Sequence, residues 1–322
     1  MMRLEEVVEI CRELSGEICE LVRPHLGEKA AREMQGRGAS GDSTFAIDEV
    51  AEERVEGRLE GIPEVAYFSE DRGMVGSEKA GWVLVVDPID GTRPAAAGLE
   101  ACCVSIAVAE YHPEDMPHPT HGDVVYGLLQ EIKNDAWFEA ERGKGSRMVI
   151  AGEKRKILIQ PHEDISTLFW TLGFRGRPAL PTALVLEELI DRSSVDGGIF
   201  DLGSATYCIT RLLTGQLDAY VDVGDRMIRE APQVEEFFLR AGHGHVLNNS
   251  SYDLAAAGLI AKEAGLAIGD AFGAPLDNYP LLASGRAGQL SCVAAVTPEL
   301  LRVLIVEIDA GIERMRAHYG WK

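Results

Sequence analysis

Apolar residues recur at helical spacing in several long segments of this chain. In residues 4–26, positions such as Leu4, Val7, Val8 and Cys11 fall every three or four residues, and Gly27 ends the run. This period places the apolar side chains on one face of an amphipathic helix. The same period predicts further helices in residues 44–61, 182–192, 204–215, 252–265 and 297–318.

Short apolar runs between the helical segments predict strands. They lie in residues 65–70, 82–87, 102–111, 124–132, 135–141, 197–203 and 217–224. Residues 36–43, rich in Gly and Ser, predict a mobile loop. The alternation of the two signals predicts an α/β chain with helices and mixed sheets in layers.

A basic segment that contains glycines, residues 142–156, is the predicted boundary between two lobes. The N-terminal lobe would then comprise residues 1–155 and the C-terminal lobe residues 156–322.

Composition restricts the partners. The 322 residues include 31 Lys and Arg against 52 Asp and Glu, a net charge of −21. Such a surface repels nucleic acid and anionic membranes and favours cations. The six cysteines form no C-x-x-C motif, and no apolar run approaches the roughly 18 residues of a membrane span. We therefore expect a soluble, cytoplasmic protein that binds neither nucleic acid nor membrane.

The candidate chemistry lies in "WVLVVDPIDGTRPAAAG", residues 82–98, where a buried strand runs into two aspartates. A turn of Pro, Asp and Gly facing water would explain the local pattern equally well. An EF-hand loop is excluded because Ile89 and Gly91 occupy its third and fifth ligand positions, counted from Asp87. An aspartyl nucleophile two residues before Asp90 is excluded because Pro88 stands there.

The remaining interpretation is a site that combines cations with an anion. Asp87 and Asp90 would hold a hard divalent cation such as Mg²⁺, which is often completed by substrate phosphate. The backbone N–H groups of Gly91 and Thr92 would face an anion at the start of a helix. Neighbouring cation and anion sites indicate phosphoryl chemistry.

Five segments resemble, in order, the motifs of the inositol monophosphatase and fructose-1,6-bisphosphatase superfamily. They are "TFAIDEVAEE", "YFSED", "DPIDGT", "GSATYCITRLLTGQLDAY" and "YDLAAAGLIAKEAG". Asp71 replaces the second Glu of the family's pair, and Tyr252 replaces a Trp. The resemblance implies the sugar-phosphatase fold, with alternating layers of helices and two mixed β-sheets.

The resemblance also implies roles for individual residues. The implied metal ligands are Glu70, Asp87, the carbonyl of Ile89, Asp90 and Asp253. They would bind two or three Mg²⁺ ions, which Mn²⁺ could replace. Glu70 and Thr92 would orient and deprotonate the attacking water, with Asp48 hydrogen-bonded to the Thr92 hydroxyl. The implied substrate contacts are Gly91, Thr92, Arg93, Gly203, Ser204 and Asp222.

The function implied is a Mg²⁺-dependent phosphate monoester hydrolase for inositol monophosphate or sugar phosphates, acting by direct attack of metal-activated water. Fructose-1,6-bisphosphatase, or a phosphatase for another small or nucleotide-type ester, is the alternative within the superfamily. A non-catalytic cation-binding protein is the alternative outside it. Glu70, Thr92 and Asp48 favour the enzyme, because a pure binder needs no group that activates water. The expected partners are a small phosphorylated substrate and a second subunit in a homodimer.

Several features stay open in the sequence. Arg93 is either a ligand for a second anionic group of the substrate or an exposed side chain. Residues 225–252 form a long insertion that could be a lid, an oligomer contact or plain surface. We expect the histidines at 118, 121, 243 and 245 to be exposed in loops, and Cys102 and Cys103 to be core residues.

Overall fold

A computed structural model describes residues 2–38, 43–116 and 118–321. The α-helices are α1 (Leu4–Val22), α2 (Ala46–Leu59), α3 (Thr92–Ala97), α4 (Ala179–Ser193), α5 (Ala205–Leu213), α6 (Gly224–Glu230), α7 (Glu235–Ala241), α8 (Ser251–Ala264) and α9 (Pro298–Tyr319). Each helix that the sequence predicts is present.

The strands comprise the predicted ones and several short additions. In chain order they are β1 (Met34–Arg37), β2 (Ser43–Phe45), β3 (Val65–Ser69), β4 (Gly73–Val75), β5 (Trp82–Asp90), β6 (Cys103–Glu110), β7 (Val124–Glu131), β8 (Ala136–Glu141), β9 (Ser146–Ile150), β10 (Glu153–Arg155), β11 (Phe169–Leu172), β12 (Gly198–Phe200), β13 (Ala219–Asp222), β14 (Asn249–Ser250), β15 (Ala267–Gly269), β16 (Gln289–Leu290) and β17 (Cys292–Ala295).

Two mixed sheets organise the chain. The larger has the order β10-β9-β8-β7-β6-β5-β3-β4, and only its β3–β5 pair is parallel among the described pairings. The smaller has the order β12-β11-β13-β17-β15, in which β11 runs parallel to both β12 and β13. The predicted layers of helices and mixed sheets are confirmed.

Helices cover both faces of the large sheet. In β5, alternate residues Leu84 and Val86 belong to an apolar cluster with α1 and α2, whereas Val83 and Val85 belong to a second cluster with α5 and α8. Since side chains alternate across a strand, a strand buried on both faces needs an uninterrupted apolar run. This explains why residues 82–86 are all apolar.

Helix α8 lies very close to the large sheet. A Cβ atom at Gly127 in β7 would approach the carbonyl oxygen of Ala256 in α8 to 2.9 Å. The small residues at 255–258 of α8 permit this approach. The close packing fixes the N-terminal end of α8 relative to the ends of the sheet strands.

The predicted loop at residues 36–43 is only partly a loop, since β1 and β2 pair there in antiparallel fashion. Residues 39–42 lie outside the described residues. The basic segment 142–156 contains β9 and β10, which pair at the edge of the large sheet. The strands of the large sheet therefore end at Arg155 and those of the small sheet begin at Phe169, while the division into lobes at residue 155 stays a prediction.

The insertion at 225–252 is a packed helical segment. Phe238 of α7 is fully buried, and the ring of Phe237 lies 5.2 Å from that of Tyr319 at the end of α9. The insertion ends at β14 and the start of α8, and its residues Leu247 and Asn248 line the pocket described below. Among the helices described, none is long and apolar enough to cross a membrane.

Candidate active site

A bulge at the end of β5 brings its two aspartates together. Asp87 pairs with Ser105 and Asp90 with Cys103, so three steps along β5 correspond to two along β6. In a regular strand, residues three apart point to opposite faces, and the extra residue of a bulge corrects this. The carboxylates of Asp87 and Asp90 consequently face the same site.

The Asp90 carboxylate is held by the start of α5. Its Oδ2 accepts hydrogen bonds from the Ser204 hydroxyl at 2.8 Å, the Thr206 N–H at 2.6 Å and the Thr206 hydroxyl at 2.5 Å. Gly91 follows with a φ of 93°, and a Cβ there would lie 2.3 Å from the carbonyl oxygen of Ala101. The tight turn after Asp90 thus requires glycine.

Asp253 reaches the same place from the opposite side. It is the third residue of α8, and its Oδ2 accepts the N–H of Ser250 at 2.6 Å as part of a capping box. The N-cap residue of α8 is therefore Ser250, and Asp253 stands three residues after it. One carboxylate oxygen fixes the helix start and the other is available to a ligand.

The three carboxylates form a compact acidic cluster. Asp87, Asp90 and Asp253 each offer an oxygen, and these oxygens all lie within 4.8 Å of one another. Burial, together with the charges of Glu70, Asp90 and Asp253, raises the pKa of Asp87 well above its usual value. Burial and the charge of Asp90 raise the pKa of Asp253 to about 8.

Buried carboxylates that repel one another are stabilised by a cation between them. Their hard oxygen donors suit Mg²⁺, Mn²⁺ or Ca²⁺. The residues of the cluster therefore fit a hard divalent cation, as the sequence predicts.

Glu70 lies beside this cluster because β3 runs parallel to β5, so that the strands end at the same edge. The hydroxyl of Tyr252 donates to its Oε1 at 3.1 Å. Beneath this turn, buried Glu52 accepts the Ser69 hydroxyl at 2.8 Å and the Asp71 N–H at 3.3 Å. Burial raises the pKa of Glu52 to about 7. The sequence analysis missed Glu52 because a helical glutamate carries no local signal of burial.

Thr92 begins α3 at the edge of the pocket, and its hydroxyl donates to the carbonyl of Ile89 at 3.2 Å. Asp48 is the third residue of α2, where its Oδ2 accepts the N–H of Phe45 at 2.8 Å. Arg93 lines the pocket, and its guanidinium lies 5.4 Å from the centre of the Phe45 ring. The structure thus places Thr92 and Arg93 in the pocket.

Most of the other predicted site residues also meet here. The pocket is lined by Glu70, Asp87, Ile89, Asp90, Gly91, Thr92, Arg93, Arg175, Gly203, Leu247, Asn248, Ser250, Tyr252, Asp253 and Gln289. Ser204 lines an adjoining cavity and binds Asp90. Asp222 lines neither space, since it is buried in an ion pair with Arg177.

Sequence reasoning missed Arg175, Asn248 and Gln289, although all three line the pocket. Arg175 stands in "GFRGRP", where two arginines beside glycines in an acidic chain could have been noticed. Asn248 and Gln289 are ordinary polar residues in sequence. Only the fold brings them to the site.

The prediction of exposed loop histidines is wrong for His121. This residue is buried, and its Nε2 lies 2.8 Å from the Ser251 hydroxyl at the start of α8. Burial lowers its pKa to about 4. His118 and His243 are exposed as expected, and His245 is half-buried. Cys102 and Cys103 are buried, which confirms the prediction for both.

The sequence of the chain is similar to those of a known protein family. The profile of the inositol monophosphatase family matches residues 3–297. The chain is 24% identical over 304 residues to a fructose-1,6-bisphosphatase of Pyrococcus furiosus, covering 94% of this chain and 98% of that protein.

A further relative matches over part of its length, and a solved structure matches over nearly all of its length. A bifunctional NADP phosphatase/NAD kinase of Methanocaldococcus jannaschii is 28% identical over 243 residues, which are 70% of this chain and only 41% of that protein. The solved structure of an IMPase from Thermotoga maritima superposes with a TM-score of 0.67 at 19% identity, covering 96% of this chain and 99% of that chain. The structural likeness concerns the fold.

Proposed function

Since the chain belongs to the inositol monophosphatase family and is a phosphatase of that family, we propose that it hydrolyses small phosphate monoesters with divalent cations held by Asp87, Asp90 and Asp253. The observation that supports this proposal is the approach of three carboxylates, those of buried Asp87 and Asp90 and half-buried Asp253, to within 4.8 Å beside Thr92 and Glu70. A cluster of this kind is unfavourable for folding unless cations bind it.

The proposed cations are Mg²⁺ ions, two or three per site, for which Mn²⁺ can substitute. Glu70 and the carbonyl of Ile89 complete the proposed ligand set. When bound, such cations supply positive charge to phosphate oxygens and lower the pKa of water. Ser204 and Thr206 keep the Asp90 carboxylate oriented through the three hydrogen bonds described above.

The remaining roles belong to the chain's own groups. Glu70 takes the proton of the attacking water, and the Thr92 hydroxyl orients that water. Asp48 is the proposed hydrogen-bond partner of Thr92. The water oxygen then forms the new bond to phosphorus while the bond between phosphorus and the alcohol oxygen breaks. The leaving alcohol oxygen takes a proton from solvent, and Glu70 returns its proton to solvent. The N–H groups of Gly91 and Thr92 bind phosphate oxygens.

The proposed substrate is inositol monophosphate or a sugar phosphate. Fructose-1,6-bisphosphate is the second candidate, because Arg93 and Arg175 both line the pocket and provide positive charge for a second anionic group. The fructose-1,6-bisphosphatase of Pyrococcus furiosus is a relative in keeping with this candidate. The proposal further includes a cytoplasmic homodimer in which each subunit has an N-terminal lobe of residues 1–155 and a C-terminal lobe of residues 156–322.

The experiment is a phosphate-release assay with purified protein and a panel of esters. Release should require Mg²⁺ or Mn²⁺, stop with excess chelator and return when the cation is restored. Undiminished release in excess chelator would contradict the proposed metal dependence. Cation binding without release from any ester would instead support the non-catalytic alternative.

A further inference from the structure

The Asp222 side chain, which is an expected substrate contact, is enclosed by protein groups and out of reach of a ligand. Its Oδ2 forms an ion pair with Arg177, and its Oδ1 accepts the N–H of Gly224 at 2.9 Å. The backbone at Gly173 covers the same carboxylate, since a Cβ there would lie 2.5 Å from Oδ2. Asp222 is 0% exposed. Its role is to hold Arg177 and the turn at Gly224.

A second aspartate reaches the same edge of the small sheet. Strands β12, β11 and β13 are parallel neighbours, so their carboxyl ends lie together. Asp222 ends β13, while Asp201 follows the last residue of β12 and is exposed. In open sheets with parallel strands, ligands bind outside the carboxyl ends of those strands. Asp201 therefore stands where a ligand would be expected.

Asp201 lines a cavity that adjoins the acidic cluster. The cavity and the reactive pocket share the lining residues Asp90, Arg175, Gly203, Asn248 and Asp253. Asp201 lines only the cavity. A phosphate placed beside Asp90 and Asp253 would accordingly direct its alcohol group either to solvent or towards Asp201.

We propose that Asp201, and not Asp222, accepts hydrogen bonds from hydroxyl groups of the substrate's alcohol portion. The proposal rests on the proposed phosphatase function and extends it to the choice of substrate. An ionised carboxylate has only acceptor sites, so it binds a hydroxyl-bearing alcohol better than an apolar one. Asp201 thereby selects polyol phosphates over aryl phosphates.

The competing explanation is purely local. The backbone N–H of Gly203 opposes the rise that burial causes in the pKa of the Asp201 carboxyl, so the residue's role could be to stabilise the turn before Ser204. Loss of such a turn would disturb the orientation of Asp90 and slow all substrates together. Selectivity between substrates therefore separates the two roles.

The test compares inositol-1-phosphate with p-nitrophenyl phosphate, whose leaving group bears no additional hydroxyl. Asp201→Asn and Asp201→Ala should lower the ratio of kcat/KM for the polyol ester to kcat/KM for the aryl ester by about tenfold or more, since hydrogen bonds to charged groups have this strength. The change should come mainly from a higher KM for the polyol ester. The matched control is Asp196→Asn, which removes the same charge from an exposed position outside both cavities.

An unchanged ratio in both Asp201 variants, or the same fall in Asp196→Asn, would overturn the assignment of Asp201. Equal losses on both esters would also overturn it and leave the turn as the residue's role. Failure of the wild-type protein to release phosphate from either ester with Mg²⁺ would instead overturn the proposed function itself.

Discussion

In the absence of divalent cations, the free energy of unfolding of this protein should fall as the pH rises from 6.5 to 8.5. The reason lies in Asp253, whose pKa is raised from its usual 3.8 to about 8 by burial and by Asp90. Between these values the folded protein keeps a proton that the unfolded chain has lost. The free energy of unfolding therefore decreases with rising pH. Above pH 8 Asp253 is ionised in the folded protein as well, and its full destabilising effect is present.

The magnitude follows from linkage. A carboxyl whose pKa is raised in this way lowers the free energy of unfolding by about 4 kcal/mol at pH 6.5 and by about 5 to 6 kcal/mol at pH 8.5. The difference between the two pH values is about 2 kcal/mol. For a chain of 322 residues, an unfolding entropy of about 2.1 cal/mol/K per residue converts this difference to about 3 °C in the melting temperature. Coulomb repulsion between charges 4.8 Å apart, about 3.5 kcal/mol per pair at an effective dielectric constant near 20, is of the same order.

Calorimetric melting of the chelated protein at the two pH values provides the assay. Mg²⁺ should raise the melting temperature more at pH 8.5 than at pH 6.5, because the ion requires ionised carboxylates. Asp253→Asn should remove most of the pH dependence of the chelated protein, whereas the surface control Asp196→Asn should keep it. An equal pH dependence in Asp253→Asn and wild type would refute the reasoning.

Three further predictions concern single residues. Burial lowers the pKa of His121 to about 4, so the free energy of unfolding should fall by up to about 3 kcal/mol as the pH drops from 6.5 towards 4. In urea unfolding, His121→Asn should lose less stability than wild type over this pH range. Asp222→Ala leaves Arg177 buried without its ion-pair partner and should lower the free energy of unfolding in urea by about 3 to 5 kcal/mol. The control Glu299→Ala breaks an exposed ion pair with Arg302 and should leave the urea midpoint almost unchanged. Thr92→Ala should slow phosphate release by about 10² to 10⁴ but keep the Mg²⁺-induced rise in melting temperature, and loss of that rise would contradict its assigned role.

The sequence predicted the long helices and the central strands because each carries a long periodic signal, whereas it did not predict the short helices α6 and α7. The apolar run at residues 82–86 identified a strand buried on both faces, which β5 is. The four-residue strands β11 and β17 were not predicted, since runs this short carry little periodic signal. Their positions depend on pairing with β13 rather than on local pattern.

Some residues of the candidate site could be predicted from the sequence, and others could not. Asp87 and Asp90 could be placed in one site because a motif joins them, and the structure supplies the bulge that turns both inwards. Arg175, Asn248 and Gln289 come from separate loops and strands, so their approach to the site depends on tertiary packing. The burial of His121 and the ion pair of Asp222 likewise depend on residues more than 40 positions away.

The central claim is that the Asp87, Asp90 and Asp253 cluster binds the divalent cations on which hydrolysis depends. Isothermal titration of Mn²⁺ into chelator-treated wild type and Asp90→Asn, with phosphate release measured on the same samples, tests this claim most directly. We predict saturable Mn²⁺ binding and restored phosphate release in wild type, and loss of both in a folded Asp90→Asn protein. Wild-type Mn²⁺ affinity together with wild-type phosphate release in Asp90→Asn would contradict the account.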